Sequence, residues 1–78
     1  MNSEIFRLTV INQMGPEQYQ VGGTYNGLLL ESIVDMTVSG DDVHIPHYEG
    51  RTADKSPVFE TISAPIAIDY RAKQGSKQ

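Results

Sequence analysis

The four residues Tyr25-Asn26-Gly27-Leu28 constrain the fold of this chain more than any other part of it. An Asn-Gly pair suits a type I′ turn, where both central residues take positive φ and the right-handed twist of the two flanking strands is matched. Tyr19 and Val21 alternate with Gln18 and Gln20 before it, and Leu28 to Leu30 follow it. The expectation is a hairpin, its first strand bent near the end by Gly22-Gly23.

The rest of the chain repeats this grammar of short alternating runs separated by turn residues. Phe6, Leu8 and Val10 alternate with Arg7 and Thr9, the period of a half-buried strand, while Ile5 and Ile11 add apolar residues to its other face. Gly15-Pro16 ends that run. Val34, Met36 and Val38 alternate with Asp35 and Thr37, and Ser39-Gly40-Asp41-Asp42 reads as a turn into Val43–Ile45, giving a second hairpin. Residues 28–36 also have spacing compatible with one short helix, but their β-branched content favours strand. Pro46 has no amide hydrogen, which pushes the Val43–Ile45 strand to an edge or ends it. Residues 50–57 read as a loop, Val58–Ile62 as a strand, and Ile66, Ile68 and Tyr70 as one face of a last strand. The expected fold is mainly β, a small antiparallel barrel or sandwich of five to seven short strands, with an α+β arrangement containing one short helix as the alternative.

At 78 residues the chain supports a single domain, expected over residues 1–70, with residues 71–78 as a flexible basic tail. A core of this size is marginal unless well packed or shared between copies, which makes a homo-oligomer a structural alternative. There are no cysteines, hence no disulfide framework or thiolate metal cluster. The start of the chain has no signal-peptide pattern and no apolar run reaches membrane-spanning length, so a cytoplasmic protein with no membrane partner is expected.

Charge narrows the class of partner. The ten acidic residues all lie before residue 71, whereas Leu8 to Gly50 contains no lysine or arginine. An acidic body does not neutralise phosphates, so direct nucleic-acid binding is not expected. Tyr19, Tyr25, Tyr48 and Tyr70 lie largely in acidic sequence and lack the basic groove that accompanies base-stacking platforms. The carboxylates are too sparse to copy phosphate spacing, but they favour association with a basic protein.

The densest chemistry is Asp41-Asp42-Val43-His44-Ile45-Pro46-His47-Tyr48-Glu49. Imidazoles and carboxylates can hold a divalent ion, but His44 and His47 fall on opposite faces of an extended chain unless Pro46 turns it. No nucleophile elbow, phosphate loop or dinucleotide fingerprint is present, so neither an enzyme nor a bound cofactor is expected. Tyr48 beside Glu49 suits an aromatic anchor in a polar rim. The expected contact residues are Asp41, Asp42, His44, His47, Tyr48 and Glu49, joined by Glu31 and Asp35 on the hairpin faces. The expected role is a non-enzymatic acidic binding module, such as an inhibitor of a basic or nucleic-acid-handling complex of the phage anti-defence (anti-CRISPR) type. A homo-oligomeric or virion assembly component and a small metal-binding protein using His44 and His47 are the alternatives.

Overall fold

A computed structural model describes residues 2–73, and these form ten short strands and no helix. The strands are β1 (Ser3–Val10), β2 (Glu17–Gln20), β3 (Thr24–Tyr25), β4 (Leu28–Leu29), β5 (Ser32–Asp35), β6 (Val38–Ser39), β7 (His44–Ile45), β8 (His47–Arg51), β9 (Pro57–Ile62) and β10 (Ile66–Ala72). Every pairing is antiparallel. Two three-stranded sheets, β10-β1-β2 and β5-β8-β9, carry the fold, with β3-β4 and β6-β7 as two-stranded ribbons. Among the described residues no sheet closes on itself. The helix considered for residues 28–36 is absent, because Leu28–Leu29 and Ser32–Asp35 pair as strands.

Ten strands replace the expected five to seven because the ladders are interrupted at identifiable residues. Asn26 and Gly27 take φ of 53° and 81°, as a type I′ turn requires, and close the β3-β4 ribbon. Gly22, at φ 98°, is the hinge by which the chain leaves β1. Its amide donates to the Leu30 carbonyl, whereas the Val21 amide one residue earlier still donates to Phe6. The first hairpin therefore starts at Gly22-Gly23, and Tyr19–Val21 belong beside β1 instead.

The second hairpin is longer than its sequence pattern implies. β5 and β6 run against β8 and β7 in one unbroken register, from Ser32 opposite Arg51 to Ser39 opposite His44. The ladder is interrupted only around Thr37 and Pro46. Proline has no amide to donate, and side chains serve the neighbouring donors. Asp35 Oδ1 accepts from the Thr37 amide at 2.9 Å, and Thr37 Oγ1 accepts from the His47 amide at 3.3 Å. Gly50 and Arg51, expected in a loop, complete β8, and the loop proper is Thr52–Ser56.

The core is formed by Ile5, Leu8, Leu30, Ile33 and Tyr48, residues drawn from both major sheets and the link between them. Ile5 and Leu8 are three residues apart, which simple alternation would put on opposite faces. A bulge between Ile5 and Arg7 resolves this: one extra residue in β1 shifts its phase and turns Ile5 inward. Phe6, expected on the core face with Leu8 and Val10, instead lies beneath the guanidinium groups of Arg71 and Arg7, 4.7 and 5.6 Å from its centroid. Tyr19 stacks on Phe59 and meets Tyr25 edge-on, with centroids 4.1 and 5.1 Å apart. β10 continues through Arg71 and Ala72, and residues 74–78 of the expected tail lie outside the described residues.

Candidate functional site

The register of the long hairpin sorts its side chains onto two faces. Ile33, Asp35, Thr37 and Ser39 share a face with His44, Pro46, Tyr48 and Gly50. At the base this face closes over the core, where Ile33, Tyr48 and Gly50 are buried. The other face carries Val34, Met36 and Val38 beside Val43, Ile45, His47 and Glu49, and pairing with β9 adds Glu60 and Ile62. At the far end of this second face the apolar groups are open to solvent. Val38 is 56 % exposed and Ile62 54 %, and Met36, Val43 and Ile45 are exposed as well.

Charged residues border that apolar stretch. Asp41 and Asp42 are the two loop residues of the arm, closed by a 2.8 Å hydrogen bond from the Gly40 amide to the Val43 carbonyl, and both are exposed. Toward the base, Glu49 faces Glu60 across the ladder, a repulsive juxtaposition. Each is met by a second partner: Arg51 Nε donates to Glu49 Oε1 at 2.7 Å, and His47 Nε2 lies 2.7 Å from Glu60 Oε2. Arg51 also reaches Met36 Sδ at 3.6 Å, so its guanidinium closes the base of the stripe.

Across the molecule the arginines are all engaged with carboxylates, Arg7 with Asp69 and Arg71 with Glu4 besides the pair at Arg51. Glu17, Glu31, Asp35, Asp41 and Asp42 have no cationic partner among the described residues. The hydrogen bonds from the Thr37 hydroxyl and amide hold the Asp35 carboxyl below its ordinary value, outweighing a small opposing effect of desolvation, with a further contribution from His44. The hydroxyls of Thr52 and Ser56 do the same for Asp54 in the β8-β9 loop.

The expected contact residues therefore separate. Asp41 and Asp42 stand together at the tip. His44 is exposed on the face it shares with Asp35, whereas His47 and Glu49 lie half-buried on the opposite, apolar-striped face. Glu31 is exposed at the root of the arm, where its amide donates to the Arg51 carbonyl. Tyr48 is not an exposed anchor: pairing with both Asp35 and Thr61 points it into the core, leaving it 9 % exposed. His44 and His47 are not brought to a common point, and among the described residues no group of three or more metal-capable side chains assembles. No pocket is formed there either.

Met36, Val38, Val43, Ile45 and Ile62 were not among the expected contact residues. Alternation shows that the hairpin members share a face, but that face could equally have been covered by another element. No helix among the described residues is long and apolar enough to cross a membrane. Comparison with known proteins yields no relative: no family model, no curated protein and no solved structure matches the chain.

Proposed function

We propose that this chain is a non-catalytic protein-binding module that engages a basic partner with the outer half of its long hairpin. The observation that carries the reading is the exposed apolar stripe of Met36, Val38, Val43, Ile45 and Ile62 beside Asp41 and Asp42, two carboxylates with no cationic partner among the described residues. An apolar centre supplies affinity once water is excluded, and a charged border steers encounter and selects the partner's sign. The basic surface of a nucleic-acid-handling complex has the complementary chemistry, so occupation of that surface and inhibition is the role we favour.

The two halves of the surface can be tested separately. Tagged protein is used to capture its partner from the source cell at low and high salt, alongside the pair Asp41→Lys/Asp42→Lys and the pair Val38→Lys/Ile45→Lys. The expected result is a basic complex whose capture weakens with salt and is lost with either pair. With the isolated complex, reversing the tip charges is expected to slow association by about tenfold or more, since steering acts mainly on the on-rate. Undiminished capture by both variants would reject the arm as the contact element.

A further inference from the structure

We propose that β10 is a second interaction surface, the edge along which two copies of this chain join into a symmetric dimer with a continuous six-stranded sheet. β10 ends the β10-β1-β2 sheet, and no described strand pairs with its outer side. The direction of its free hydrogen-bonding groups follows from its two ends. Ile11 donates to the Pro65 carbonyl at 3.0 Å and Lys73 donates to the Asn2 carbonyl at 3.2 Å, so positions 65 and 73 face β1. The bulge lies in β1 and leaves the alternation of β10 intact. Positions 67, 69 and 71 then also face β1, and Ile66, Ile68, Tyr70 and Ala72 direct their amides and carbonyls outward.

Exposed edges of this length are normally blunted by proline, lysine or brevity. β2 is four residues long and follows Pro16; β9 opens on Pro57. β10 is seven residues long and has neither proline nor lysine within it. Tyr70 on this strand is 58 % exposed although it lies opposite the core residue Ile5 in the ladder, so the apolar layer reaches the edge uncovered.

Charge selects both the occupant and the register. In an antiparallel pairing centred on Tyr70, the tyrosine meets Tyr70 of the second copy, Ile68 meets Ala72, and Asp69 meets Arg71 on each side of the two-fold axis. Asp69 already holds Arg7 at 2.9 Å and Arg71 already holds Glu4 at 2.7 Å on that sheet face. Pairing would join these into two rows of alternating charge running through the interface. Centring on Asp69 would oppose two aspartates, and centring on Ile68 would set Asp69 against Ala67 and Arg71 against Pro65, leaving neither charge opposite its complement. The strand thus complements itself in one register, as an isologous interface requires.

The absence of cysteine makes the register directly testable. Single variants Tyr70→Cys and Ala67→Cys are oxidised and run on a non-reducing gel, and the native mass is measured by light scattering over about a hundredfold range of concentration. Directly opposed strand residues fall within disulfide reach, so Tyr70→Cys is expected to crosslink, whereas the two copies of position 67 lie far apart along the strands and are not. The unmodified protein is expected to reach twice its 8.6 kDa mass, and Tyr70→Lys to remain monomeric with an unchanged circular dichroism spectrum. A monomer throughout, a dimer that survives Tyr70→Lys, or equal crosslinking at both positions would overturn the proposal. The pair Val38→Lys/Ile45→Lys lies on the β6-β7 ribbon and is expected to dimerise normally, which separates this surface from the binding arm.

Discussion

At the scale of single residues, Gly50 shows how little room the core leaves. A Cβ at that position would come within 2.2 Å of Phe59 and 2.8 Å of Leu30. Phe59 is its cross-strand neighbour, and the ring occupies the space a side chain would need before stacking on Tyr19. Gly50→Ala must displace that ring, and a loss of about 1–3 kcal/mol is expected in urea unfolding, the usual cost of overpacking. Asp35 gives a second expectation. Its carboxyl titrates below the ordinary value in the folded chain because Thr37 hydrogen-bonds the charged form. The resulting stabilisation is present above the unfolded carboxyl's pKa and is lost as pH falls through the lower folded value. Asp35→Asn is therefore expected to flatten part of the acid limb of a stability-against-pH curve, and an NMR titration of Asp35 to place its midpoint below that of a model peptide. The burial of Tyr48 was not legible at this scale: which face of β8 turns inward is decided by pairing with β5 on one side and β9 on the other, while the local sequence, a tyrosine between histidine and glutamate, is compatible with either.

At the scale of elements, local chemistry was readable and long-range partnership was not. Asn26-Gly27 and Asp41-Asp42 mark their turns because a two-residue loop demands particular backbone angles or local hydrogen bonding, which few residue types meet. The pairing of Val38 with Ile45 follows from that turn by counting outward. In contrast, the junction of β1 with β10 brings together residues more than fifty positions apart, and nothing local specifies it. The β1 bulge was hidden for a related reason: Phe6 to Val10 has the alternation of a regular strand, Ile5 reads as an apolar residue on its other face, and only the ladder with β10 reveals the extra residue. The outer arm yields a prediction of its own. Because Val38 and Ile45 are already in water, replacing both with lysine is expected to change unfolding free energy by less than about 1 kcal/mol, against several for a buried pair. A large loss in denaturant titration would mean that these side chains support the fold rather than await a partner.

At the scale of the whole molecule, the imbalance between inside and outside sets the stability. Among the described residues five apolar side chains are buried, and of these only Leu8 and Leu30 lose all contact with solvent, while ten large apolar residues remain exposed. Truncating either leucine to alanine removes about 2–5 kcal/mol in a typical core. That is comparable with the whole stability available to a small domain without disulfides or metal. Leu30→Ala is thus expected to leave much of the protein unfolded at room temperature, visible as loss of its circular dichroism and of dispersed NMR signals. A chain so poorly supplied with core gains stability from association, and the edge of β10 is where we propose that it associates. If folded copies pair through that edge and unfolded ones do not, mass action must raise the melting temperature with protein concentration. The expected outcome is a melting temperature that climbs with concentration in the unmodified protein and stays constant in Tyr70→Lys, with the two converging at high dilution. A flat dependence in both would show that the β10 edge contributes nothing to stability in solution, and the five-residue core would then have to sustain the fold alone.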